Sequence, residues 1–161
     1  MSKYKYLFLL AVLVLSGALM AFRSNSKQSM LLPKIYADSL DISKYKGKVV
    51  IINFWASWSK ASRAENKNVV RVYEKYRQNS KLAFVSISLD TDEKAWKAAI
   101  EEDEMAWPDH ICDFKKYSSP PALQYGVNTL PKLILIDKTG KIHLSGSKMS
   151  DIESAIDALM K

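Results

Sequence analysis

The chain has 161 residues, 48% of them hydrophobic and 11% aromatic, which suits one domain with a proper core and argues against disorder. Its formal charge is +7, yet the lysines are scattered and several sit beside acids, as at Glu74-Lys75 and Asp92-Glu93-Lys94. A nucleic-acid-binding stripe needs clustered cations interleaved with aromatics, so no nucleic-acid partner is expected; attraction to an anionic membrane surface is the milder consequence of this charge.

Lys3 and Lys5 precede an apolar run that begins at Leu7, and its first part, 7–15, ends in the small residues Ser16-Gly17-Ala18. That is the layout of a secretory signal peptide. The run continues to Phe22, slightly short for a comfortable membrane span, and also reads as an uncleaved N-terminal anchor. Both readings stay open, and in both the domain is exported. A lipoprotein signal would need cysteine where Ala18 stands, so lipidation is rejected. Residues 23–30 (RSNSKQSM) are polar and read as a tether, with the folded domain starting near Leu31.

Val49-Val50-Ile51-Ile52 is a continuous β-branched run, as expected of a strand covered on both faces, and it continues to Phe54. A helix is predicted over 59–79, with Ala61, Ala64, Val69, Val72, Tyr73 and Tyr76 as its core face. A second strand follows at 82–89, and Thr91-Asp92-Glu93 caps a helix through about Glu104 with Ala95, Trp96, Ala99 and Ile100 turned inward. A short segment at 110–114 precedes the break Ser119-Pro120-Pro121 and a short helix at 122–125 ending at Gly126. Strands at 133–137 and 142–144 flank a turn at 138–141, and 149–160 closes the chain as an amphipathic helix through Ile152, Ile156 and Leu159.

The stretch 49–65, VVIINFWASWSKASRAE, resembles the active-site segment of thioredoxin-fold proteins, most closely periplasmic thiol–disulfide oxidoreductases of the TlpA/ResA type (AhpC/TSA-related). In that family N-F-W-A-S-W is followed by C-x-x-C-R-x-E. Here Asn53 to Trp58, Arg63 and Glu65 match, while Ser59 and Ser62 stand at the two cysteine positions. Two further features fit the same group: 35–48 resembles its opening hairpin, and Trp107-Pro108-Asp109-His110 its inserted segment. The resemblance implies an α/β, three-layer thioredoxin-like fold with a central mixed sheet and flanking helices over 31–161. Ahead of it lie the signal or anchor, 1–22, and the tether, 23–30. It also implies a periplasmic place, soluble after cleavage or held at the inner membrane by the apolar segment from Leu7 to Phe22.

In the family the first cysteine sits at a helix N-terminus, where the dipole and free N–H groups favour the thiolate that attacks a disulfide, and the second cysteine resolves the mixed disulfide. Serine hydroxyls do neither, so no catalytic residue is expected at the degenerate dithiol positions, Ser59 and Ser62. Their structural reading is helix capping, with Ser62 and Glu65 spelling a capping box one turn in. A hydrolytic serine would need a positioned base, and His110 and His143 are remote in sequence from both serines. One cysteine and two isolated histidines give no metal-ligand spacing, and no cofactor is implied.

Pro131 falls where the family has a cis-proline facing the dithiol, which would hold Thr129-Leu130 exposed for pairing with an extended peptide. Otherwise it simply starts its strand. Trp55 and Trp58 either line a peptide-binding surface or pack, Trp55 in the core and Trp58 over the helix start. Glu65 reads as a capping or solvent-facing carboxylate. Cys112 is most simply a small buried hydrophobe and secondarily a single redox thiol. Three functions follow. The favoured one is an exported, redox-inactive member that binds a peptide or protein partner in the cell envelope through Trp58, Ser59, Ser62, Thr129, Leu130 and Pro131. The second is a thiol–disulfide oxidoreductase, working through Cys112 or carrying serines introduced for native cysteines. The third is a structural subunit of an envelope complex.

Overall fold

Five strands, β1 (Val49–Trp55), β2 (Leu82–Ser88), β3 (Asp109–Cys112), β4 (Lys132–Ile136) and β5 (Ile142–Gly146), form one mixed sheet in the order β3-β2-β1-β4-β5. The computed structural model describes residues 42–161, and the signal or anchor, the tether and the first part of the expected hairpin lie outside them. β1 pairs parallel with β2 and antiparallel with β4, so it is central and all seven of its residues are buried. That is why its sequence runs apolar without alternation.

Alternate side chains of the sheet feed two cores. Val49, Ile51 and Trp55 of β1, with Phe84, Leu133 and Leu135, meet α1 (Lys60–Tyr76), α2 (Glu93–Glu102) and α4 (Met149–Met160) on one face. Val50, Ile52 and Phe54, with Val85, Ile134 and Ile136, are covered on the other face by Tyr45, Val127 and Ala122 of the short helix α3 (Pro120–Gln124). Trp55, Trp96 and Trp107 are fully buried in the first core. Each such side chain supplies about 2–3 kcal/mol of burial energy, which makes this face the heavier half of the structure.

The helix expected over 59–79 spans Lys60–Tyr76, with Ser59 as its N-cap. Its inward residues are Ser62, Asn66, Val69, Val72 and Tyr76, while Ala61 and Ala64 are exposed. Alanine is a good helix former on any face, and the first two turns put polar side chains inward, so apolar spacing pointed to the wrong stripe there. Ala95 is exposed for the same reason. The prolines advance the short helix to Pro120, their missing N–H groups being harmless in its first turn. Within the described part of the expected opening hairpin, Ile42–Tyr45 is a 3-10 turn. Gly47, at φ +82°, then hands the chain to β1.

Candidate functional site

β1 ends at Trp55, and the Leu89 N–H donates to its carbonyl at 2.8 Å, fixing where the chain leaves the sheet. Ala56-Ser57-Trp58 then turns into α1. Asp90, buried just past β2, holds this turn from behind: its carboxylate accepts the Ser57 N–H at 3.0 Å and the Ser57 hydroxyl at 2.6 Å. The Ser88 hydroxyl donates to the same carboxylate. A charged acceptor serving three donors makes a strong local clamp. With its base fixed in this way, Trp58 stands 51% exposed.

Ser59 caps α1. Its Oγ accepts the Ser62 N–H at 3.2 Å, and the Ser62 hydroxyl, fully buried, donates to that same Oγ at 2.9 Å. Ser59 and Ser62 are therefore in direct contact, joined by a hydrogen bond. Among the described residues neither hydroxyl meets a histidine or a carboxylate, so neither has a base to activate it.

The third part of the site comes from the approach to β4. Phe54 pairs with Lys132, which sets Pro131 beside Trp55 at the same end of the sheet as the Ser59 cap. The Leu130–Pro131 peptide is cis. Thr129 is exposed and Leu130 and Pro131 are half-buried, Leu130 packing on the second core beside Tyr125. The Tyr125 ring lies 5.8 Å from that of Phe54. The exposed Trp58 indole, the half-buried Ser59 and the bend at Thr129-Leu130-Pro131 thus lie at one end of the sheet, with the Ser62 hydroxyl buried behind Ser59.

A thioredoxin-like family model matches residues 47–142. That stretch is more than half of the chain. The chain belongs to the thioredoxin-like family. A thiol-disulfide oxidoreductase from Bacteroides fragilis is 36% identical and superposes with a TM-score of 0.66, covering 71% of this chain and 82% of that one. The thioredoxin domain of a thiol-disulfide oxidoreductase from Bacteroides vulgatus gives 0.66 at 26% identity, over 77% of this chain and 87% of that one. The thiol-disulfide oxidoreductase ResA of Bacillus thuringiensis is 26% identical over 156 residues, 88% of this chain and 87% of its own length. The fold is thus that of thiol-disulfide oxidoreductases of the ResA/TlpA type.

Cys112 is fully buried on β3, its Sγ 3.6 Å from the Asp90 carbonyl, to which the thiol donates. Burial pushes the thiol up to about 11, so at neutral pH it is not a thiolate. His110 is buried beneath Trp107, ring on ring at 5.2 Å, and its Nε2 meets the Met105 carbonyl at 3.1 Å. His143 is exposed on β5. Neither histidine belongs to the Ser59 cap. Glu65, half-buried, is a capping carboxylate as expected, but of another helix than its own: it accepts the Met149 N–H at 2.6 Å and so caps α4, while its other oxygen accepts from the Asn68 amide at 3.2 Å. Among the described residues no group of three or more His, Cys, Asp or Glu could hold a metal, and no helix is long and apolar enough to cross a membrane.

Sequence reasoning missed Asp90, Ser57 and the polar layer under α1. There the Asn53 amide donates to Asn66 at 3.0 Å, Asn66 to Asp103 at 2.7 Å, and Arg63 to Asp103 at 2.6 Å. This chain ties α1 to β1 and to the end of α2, and it holds the Arg63 guanidinium above its ordinary range. A signal for Asp90 was present, since a carboxylate directly after a parallel strand lies at the end of the sheet where the β1 loop also emerges.

Proposed function

We propose that the chain is an exported thioredoxin-fold protein that binds an extended peptide or protein segment without exchanging disulfides at this site. The groove is formed by Trp58, Ser59, Thr129, Leu130 and Pro131, with the Ser62 hydroxyl buried behind Ser59 and supporting it. The observation that carries the reading is the Ser59–Ser62 hydrogen bond: the helix start keeps the family's geometry with hydroxyls that cannot form a mixed disulfide. Affinity would come from the backbone at Thr129-Leu130, where among the described residues no N–H has a partner, and from stacking on Trp58. The N-terminal pattern of Lys3, Lys5 and the apolar run supports export, with cleavage or anchoring as alternatives.

The test is capture of envelope proteins on the immobilised chain under reducing conditions, beside Trp58→Ala and Leu130→Asp. Partners that persist with reductant and are lost in both variants support the groove. Capture that ignores both substitutions contradicts it. The names of the relatives support a second reading, an oxidoreductase in which the Ser59 and Ser62 positions are natively cysteine. Determining the genomic codons at 59 and 62 separates the two.

A further inference from the structure

The end of the sheet opposite Ser59 is basic. β1 and β2 start there and β4 ends there, since Val49 pairs with Leu82 and Val50 with Ile136. Lys48, Lys81 and Lys138 flank those pairs. Backbone bonds draw them together: the Val49 N–H donates to the Lys81 carbonyl at 2.9 Å and the Gly47 N–H to the Lys138 carbonyl at 3.3 Å. Between the 46–48 turn and the 137–141 turn lies a cavity of about 300 Å³, lined by Lys46, Lys48 and Lys138 and by the buried Tyr45, Val50 and Ile136.

Among the described residues none of Lys46, Lys48, Lys81, Lys138 and Lys141 forms an ion pair, whereas Lys44, Lys75 and Lys97 each do. Asp137 is the carboxylate in this lining, and one of its oxygens is already engaged in its own turn. It accepts the Thr139 hydroxyl at 2.7 Å, the Thr139 N–H at 2.8 Å and the Lys141 N–H at 3.1 Å. Three lysines and one carboxylate thus line the cavity. Among the described residues the exposed aromatics, Trp58 and Tyr117, lie outside this lining, so none of them supplies a protein-interface hot spot or a nucleic-acid stacking platform here.

The described residues begin at this end, where Ile42–Tyr45 leads directly into β1. We infer that this basic end docks on an anionic phospholipid surface, with headgroup phosphate oxygens between Lys46, Lys48 and Lys138. Each lysine held near such a surface contributes about five-fold to binding there, and the attraction is screened by salt. The inference shares with the proposed function only the export of the chain, and Trp58 and Pro131 take no part in it.

The test reconstitutes the full chain in vesicles of phosphatidylcholine alone or mixed with phosphatidylglycerol, and follows lysine acetylation by mass spectrometry. Labelling of Lys46, Lys48 and Lys138 should slow several-fold in the anionic vesicles at low salt and recover at high salt, while Lys67 and Lys94 on the helices stay unchanged. In Lys46→Gln/Lys48→Gln/Lys138→Gln, Lys81 and Lys141 should lose most of their protection. Equal labelling in both vesicles would overturn the inference. So would equal protection by inorganic phosphate with neutral vesicles, which would make the cavity a small-anion site. Either failure leaves the groove on the opposite end untouched.

Discussion

The Asp90 carboxylate, buried at the end of β2, accepts both the N–H and the hydroxyl of Ser57, at 3.0 and 2.6 Å. One side chain just past the neighbouring strand β2 therefore fixes the loop that presents Trp58 and Ser59. Asp90→Ala leaves the Ser57 N–H and the Ser88 hydroxyl without their acceptor and should cost about 2–4 kcal/mol in urea denaturation. Asp90→Asn, which keeps an acceptor oxygen, should cost less. A loss below about 0.5 kcal/mol for the alanine variant, the scale of an ordinary surface change, would show that the clamp does not hold the loop.

Glu65 links α1 to α4. The residue before α4 is Lys148, which offers no side-chain cap, and the Glu65 carboxylate takes the Met149 N–H in its place. Glu65→Ala should destabilise the fold by about 1–2 kcal/mol, the cost of a lost cap with its charge on the helix dipole. Glu65→Gln should recover part of this. A carboxylate serving only to tune chemistry at Ser59 would leave the denaturation midpoint unmoved.

His110 makes stability depend on pH. Burial lowers its pKa from 6.5 to about 4, outweighing the opposing bond to the Met105 carbonyl. Between those values the unfolded chain binds the proton and the folded chain does not. The neutral ring's contribution is thus complete above about 6.5 and is lost as pH falls toward 4, by about 3 kcal/mol in all. His110→Asn should flatten that window in denaturation curves measured from pH 4 to pH 7. An unchanged slope would place the titrating group elsewhere.

Cys112 should behave as packing. With the thiol pushed up to about 11 and fully buried, alkylation of the native chain at neutral pH should be about a hundred-fold slower than in urea. Cys112→Ala should cost about 1 kcal/mol and leave partner capture intact. Rapid alkylation of the folded chain would restore the one-thiol reading.

Much of the fold is legible because β1 carries an uninterrupted β-branched run, and because the Ser59, Asp92 and Gly126 boundaries follow from capping chemistry. The opening 3-10 turn and the inward face of early α1 are less legible, since Ser62 and Asn66 turn inward there and the alanines outward. At the site, Trp58, Ser59 and Pro131 are local signals. Asp90 is a long-range one: its role depends on strand register, which sets residue 57 beside residue 90, and no spacing along the chain reveals that. Glu65 shows the same limit, its partner Met149 lying on the last helix.

The most direct measurement is disulfide reductase activity of the native chain beside Ser59→Cys/Ser62→Cys, both with a dithiol donor. The expected result is an inert native chain and an active double variant, because the helix start, the Asp90 clamp and the Pro131 approach all stand ready for a dithiol at 59 and 62. Activity in the native chain that disappears in Cys112→Ala would contradict this, and would make the protein a one-cysteine enzyme.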